Sequence, residues 1–117
     1  MVAPIERLKR RKEFLDVAAS KINIAKPGLV LQARKLPSEI DKIRVGFTAS
    51  RKVGNAVARN RARRRLKAVV KCALEPFAMS GYAYVIIARH ATLNRPFDKL
   101  LRDMSSALIA LKLKRSI

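Results

Sequence analysis

The sequence predicts a single-domain α+β fold, with three or four strands in a mixed sheet and helices packed against it. Three observations carry the prediction. Ile43, Val45, Phe47 and Ala49 alternate with Arg44, Gly46 and Thr48, the pattern of a strand buried on one face. Residues 56–74 and 97–111 instead carry apolar residues at helical spacing. The chain has 117 residues, half of them hydrophobic, enough for one core and too few for two.

The elements follow in order. A first helix is expected over Arg10–Ser20, with Phe14, Val17 and Ala18 as a narrow apolar face. Lys21–Lys26 is ambiguous, although Ile22 and Ile24 alternate with polar residues as a short strand would. Pro27-Gly28 marks a turn, and Leu29–Lys35 reads as a strand. Leu36–Lys42 contains Pro37, Ser38 and Asp41 and reads as a hairpin loop leading into the strand at Ile43–Ala49. Gly54-Asn55 breaks the chain, and Asn55 suits a helix N-cap. A helix from Ala56 to about Leu74 follows, ended by Glu75-Pro76. Gly81 turns the chain into a strand over Tyr82–Arg89, where Tyr82 and Tyr84 share a face and are expected to pack on the sheet. Pro96 suits a first helical turn. Phe97, Leu100, Leu101, Met104, Ala107, Leu108 and Leu111 trace one face of a last helix, on which Asp98 and Asp103 read as first-turn and surface charges.

Charge narrows the function. Lys and Arg number 27 against 8 Asp and Glu, a formal net charge of +19. Self-repulsion at this level disfavours the compact state, and a polyanion relieves it. Membrane association is a poorer match, since Trp is absent and no run approaches the ~20 apolar residues of a span. The basic N-terminus has no apolar stretch behind it, so a secretory signal is not expected and a cytoplasmic location is. One cysteine and one histidine, Cys72 and His90, are too few for a zinc site. Cys72 is expected as a half-buried thiol on a helix flank.

The basic residues concentrate. Arg51, Lys52, Arg59, Arg61, Arg63, Arg64, Arg65, Lys67 and Lys71 fall within 21 positions, and no acid lies between Asp41 and Glu75. On a helix at about 100° per residue, Ala58, Ala62, Leu66, Val69 and Ala73 form an apolar stripe. Asn60, Arg63, Arg64, Lys67 and Lys71 fall opposite it, and Arg59 and Arg65 stand at its borders with guanidinium groups expected to be free. Arg59, Arg63, Lys67 and Lys71 repeat at i, i+4, and each like-charge pair costs roughly 0.2–0.5 kcal/mol. Arg51, Lys52 and Arg59 also crowd the positive end of the helix dipole. A helix that is only structural would include Glu. This one reads as a phosphate-binding surface, with Asn55 and Asn60 adding neutral donors and acceptors.

The run Arg44-Val45-Gly46-Phe47-Thr48-Ala49-Ser50-Arg51-Lys52-Val53-Gly54-Asn55-Ala56-Val57-Ala58-Arg59-Asn60-Arg61-Ala62-Arg63-Arg64 resembles the signature of the bacterial ribonuclease P protein subunit. Arg7-Leu8 with Phe14 resembles that family's N-terminal pattern, and Tyr84–Arg89 its last strand. The resemblance implies the order αβββαβα and a left-handed crossover between two parallel strands, a fold also met in a domain of a ribosomal protein. It implies a ribonucleoprotein endoribonuclease whose catalyst is RNA. That RNA would use Mg²⁺, held mainly by itself and not by the protein alone, to release the 5′ leader of precursor tRNA.

Carried over by match, Arg51, Lys52, Asn55, Arg59, Asn60, Arg61, Arg63, Arg64 and Lys67 would face the catalytic RNA and the leader. Arg7, Phe14, Gln32 and Thr48 would line a cleft for single-stranded leader. Two positions often aromatic in the family are Ala18 and Gln32 here, leaving Phe14 as the clear stacking platform, and core packing is an equal use for it. The partners implied are the catalytic RNA and precursor tRNA, with no membrane and no obligate protein partner. A ribosomal or general RNA-binding protein would share the charge but not this spacing. A helix-turn-helix DNA binder would have a helix, not a strand, before the basic helix. A protein-only nuclease would need carboxylates converging on metal, and the eight acids are scattered.

Overall fold

The computed structural model describes residues 4–113. The segments read as strands are strands, β3 (Leu29–Lys35), β4 (Ile43–Thr48) and β5 (Tyr82–Ala88), and the ambiguous segment before them forms β2 (Ile22–Lys26). A fifth strand, β1 (Ile5–Arg7), precedes helix α1 (Arg11–Ala19) and pairs in parallel with β4. It was not expected, because three exposed residues after Pro4 carry no readable period. Helix α2 (Ala56–Val69) lies between β4 and β5, and α3 (Phe97–Ala110) ends the described chain.

The sheet order is β1-β4-β5-β3-β2. β4 and β5 run parallel, and β3 is antiparallel to both β5 and β2. The segment 36–42 is therefore not a hairpin loop, because β5 lies between β3 and β4. It instead straddles the start of β5. Leu36 N–H donates to Gly81 O and Gly81 N–H donates to Lys42 O, each at 2.8 Å. Local composition signals a turn here but cannot say which strand lies alongside.

One face of the sheet carries Leu29, Leu31, Ile43, Val45, Tyr84 and Ile86, all buried beneath α2 and α3. On the other face Val17 of α1 packs in a smaller cluster with Leu8, Leu36, Ala83 and Val85. Val17 is the buried residue of α1; Phe14 is half-buried and Ala18, expected on the apolar face, is exposed.

α2 runs on into a π-helical turn, Val70–Leu74, where Glu75 N–H donates to Val70 O at 2.8 Å. The wider turn buries Val70, Ala73 and Leu74 together. It also turns Cys72 out to solvent, so the thiol is exposed and not half-buried.

Tyr84 is fully buried, and its hydroxyl donates to Met79 O and accepts from Met79 N–H, both at 3.1 Å. Burial pushes its pKa up, only partly offset by the hydrogen bond with Met79. An unfolded tyrosine ionises from about pH 10, whereas the folded one holds its proton. Unfolding then releases a proton, so this stabilisation is complete below pH 10 and is lost as pH rises beyond it. Tyr84→Phe is expected to cost about 1–3 kcal/mol at neutral pH through the two orphaned Met79 groups. The gap between wild type and variant should narrow above pH 10 in urea melts. A gap that stays constant to pH 11 would refute the linkage.

Candidate RNA-binding surfaces

The approach to α2 is a turn anchored from below. Val53 is buried, its N–H donates to Ser50 O at 3.0 Å, and Gly54 N–H donates to Arg51 O at 3.1 Å. Gly54 sits at φ +148°, a conformation that favours glycine, and a Cβ there would lie 2.9 Å from the Ala58 methyl. This arrangement leaves the Arg51 and Lys52 side chains in solvent. Asn55 caps the helix as expected, its Oδ1 accepting from Ala58 N–H at 2.9 Å.

Along α2, Ala62, Leu66 and Val69 are buried and the basic residues point away from the core. Arg51, Lys52, Arg61, Arg64 and Lys67 are exposed, and none makes a side-chain hydrogen bond or ion pair among the described residues. Arg63 Nη1 donates to Asn60 Oδ1 at 3.0 Å, which aligns those two side chains across one turn.

The two border arginines differ from expectation. Arg59 Nη1 reaches back to Gly54 O at 3.3 Å and leaves its other donors available. Arg65 is committed to the fold: Nη1 donates to Thr92 O (2.8 Å) and Leu93 O (2.9 Å), and Nη2 to Arg95 O (2.6 Å). These carbonyls end a 3₁₀ turn, His90–Leu93, so Arg65 caps that turn and ties α2 to the start of α3.

A second surface lies on the sheet face that α1 covers only in part. Strand register places Asn23, Gln32, Val85 and Gly46 in one row and Ala25, Val30, Ile87 and Thr48 in the next. Phe14 lies over Gly46, where a Cβ would come within 2.6 and 2.7 Å of its ring carbons. Only glycine lets α1 and its aromatic ring approach β4 this closely. Phe14, Gln32, Val30, Ile87 and Thr48 are all half-buried, forming a floor of apolar and neutral polar groups. Phe14 packs against the buried cluster and is only half-buried.

At one edge of this face Glu6 holds Lys42 (3.0 Å) and Arg44 (3.4 Å). The hydrogen bond from Lys42 leads in holding the Glu6 carboxyl below its usual pKa.

Arg7 does not join Phe14, Gln32 and Thr48. It pairs with Val45 in the β1–β4 register, which turns its side chain to the α2 side of the sheet. There its guanidinium lies 4.9 Å from the centroid of the Phe47 ring. The resemblance alone could not fix this parity, because β1 was not foreseen.

Asp103, expected as a surface charge, is instead buried. It is 5% exposed, accepts from Arg95 Nε at 2.7 Å and Nη2 at 3.2 Å, and accepts from Gly28 N–H at 3.0 Å. The available signal was its place inside the apolar stripe, three residues after Leu100 and four before Ala107.

The family model described as Ribonuclease P matches residues 3–112. The ribonuclease P protein component of Paramagnetospirillum magneticum is 49% identical over 111 residues, covering 92% of this chain and 84% of that protein. The corresponding protein of Ruegeria pomeroyi is 46% identical over 106 residues, covering 89% and 84%. The solved RNase P protein of Staphylococcus aureus has the same fold, with a TM-score of 0.76 at 23% identity over 93% of this chain and 97% of that one. A family match over residues 3–112, with close to half the residues shared with a relative covered over 84% of its length, places this chain in the ribonuclease P protein family.

Proposed function

We propose that this chain, as the protein component of ribonuclease P, binds the catalytic RNA through α2 and seats the 5′ leader of precursor tRNA on the open sheet face. It does so in the cytoplasm, where precursor tRNA is made. The observation that carries this reading is α2: five exposed cations on the helix and its approach lack partners among the described residues, and no acid stands in its first turn. Such a surface stays unsatisfied until phosphates arrive.

The sheet face supports the leader half. Single-stranded RNA is held by stacking on aromatic faces and by neutral polar groups that reach base edges. Phe14 supplies a ring, and Gln32 and Thr48 supply donors and acceptors beside it. The apolar floor of Val30 and Ile87 suits bases rather than phosphates.

Mg²⁺ in the holoenzyme supplies phosphodiester hydrolysis, and the RNA holds it. The protein's own donor set does not fit a resident Mg²⁺: Glu6, Asp16 and Asp103 are each paired with lysine or arginine. Among the described residues no three His, Cys, Asp or Glu side chains converge on one point. The protein's contribution is positional and electrostatic, lowering repulsion between two RNA molecules and fixing the leader relative to the body of the substrate.

The test is reconstitution with a bacterial ribonuclease P RNA at low Mg²⁺, following cleavage of a precursor tRNA that carries a 5′ leader. Stimulation only when both RNA and protein are present is the expected result. Binding without stimulation would favour a general RNA-binding or ribosomal role. Cleavage by protein alone would place catalytic groups on the chain.

A further inference from the structure

α2 presents its cations on two flanks. At about 100° per residue, Arg63 and Lys67 lie toward one side of the helix and Arg61, Arg64 and Ala68 toward the other. The first flank faces β1 and β4, since Lys67 shares a groove with Arg7 and Phe47. The second faces α3. There Arg61, Arg64, Arg65, Ala68 and Phe97 line an open cleft of about 500 Å³.

This second cleft has features that simple packing does not require. Phe97 opens α3 and is 38% exposed, whereas Leu100, Met104, Ala107 and Leu108 on the same face are buried. Arg61 and Arg64 are exposed without partners among the described residues, and none of the residues lining the cleft is acidic. The wall is rigid, because Arg65 spends its guanidinium on the carbonyls of Thr92, Leu93 and Arg95, two residues before Phe97. An aromatic ring on a fixed wall with two free guanidinium groups beside it matches the chemistry of an unpaired nucleotide. The ring offers a stacking face, and each guanidinium offers paired donors to a phosphate.

We propose that the cleft between α2 and the start of α3 binds an unpaired nucleotide of the ribonuclease P RNA, its base stacked on Phe97 and the adjoining phosphates held by Arg61 and Arg64. The site is separate from the sheet face that carries Phe14. It rests on the proposed role as a ribonuclease P subunit. It gives α2 two RNA contacts, one on each flank, so that the helix is wedged between RNA segments.

The test uses the full chain and a ribonuclease P RNA transcript, with binding measured across a salt series. Phe97→Leu keeps an apolar side chain of similar reach and removes the stacking face. It is expected to weaken binding by about 5- to 150-fold without changing the salt slope, because no charge is lost. Phe97→Tyr should bind as wild type. Arg61→Ala and Arg64→Ala should each lower the slope by about 0.7–0.9. Wild-type affinity in Phe97→Leu, or equal loss in Phe97→Tyr and Phe97→Leu, would overturn the stacking site. Unchanged slopes in both arginine variants would overturn its phosphate contacts. Failure of the subunit reading looks different, since the wild-type protein itself would then bind the transcript no better than unrelated RNA of the same length.

Discussion

Asp103→Ala is expected to destabilise the fold by about 3–5 kcal/mol, the loss typical of a buried ion pair broken from one side. The carboxylate lies at the meeting point of three segments. It receives Arg95 from the approach to α3 and the Gly28 N–H from the turn between β2 and β3. Thr92 Oγ1 donates to Gly28 O at 2.6 Å and accepts from Arg89 N–H at 2.8 Å, and Arg89 Nη1 donates to Lys26 O at 2.7 Å. Alanine would leave a guanidinium without its counter-charge and a backbone N–H without its acceptor. The Arg95 side chain is 25% exposed, so water reaches it and the loss should fall toward the lower end of that range.

Folded domains are stable by only about 5–15 kcal/mol, so even this lower figure is a large fraction. Urea melts of wild type, Asp103→Ala and an Asp103→Leu/Arg95→Met pair would measure it. The pair removes both charges together and should recover much of the loss. A single variant within about 0.5 kcal/mol of wild type would mean that the network behaves as a solvated surface pair.

That network also shows where sequence reading stops. Periodicity reports which face of an element is apolar. It therefore locates β3, β4, β5 and α3 to within a residue or two of their observed ends, and α2 together with the π-helical turn that continues it to Leu74. It is silent on neighbours: Leu36–Lys42 carries turn chemistry whether β4 or β5 lies beside β3. The partners of a buried polar group come from distant segments, as Gly28 and Asp103 do across 75 residues. The same holds for α2, where charge density marks the helix as a surface for anions. It cannot separate Arg65, which is bound to three carbonyls, from Arg64, which is bound to none among the described residues. On the sheet face, Gln32 and Thr48 are named by the family resemblance, and the register across β5 puts them on the face that Phe14 overlies. Arg7 is named with them but lies on the other face, because a three-residue strand sets its parity only by pairing with β4.

Replacing Arg63, Arg64 and Lys67 together by alanine is expected to weaken RNA binding by about a hundred- to a thousandfold at 0.1 M salt. Each phosphate contact contributes about 0.7–0.9 to the slope of log affinity against log salt, so the slope should fall by about 2–3. The single variants Arg59→Ala and Arg63→Ala should each lower it by one such step. Stability should move the other way. Arg59, Arg63, Lys67 and Lys71 stand at i, i+4 with no acid between them, and each like-charge pair costs roughly 0.2–0.5 kcal/mol. Alanine is also the best helix former. The triple variant should therefore melt no lower than wild type in the absence of RNA, and should gain less from added RNA because binding stabilises only the folded state. A side chain kept for the fold would lose stability when removed, whereas one kept for phosphate would lose affinity and leave the free protein as stable as before or more so. Thermal melts with and without a ribonuclease P RNA, beside the salt series, measure both signs. An unchanged slope in the triple variant would make the outer face of α2 a solvated surface, and would also overturn the phosphate contact of Arg64 beside Phe97.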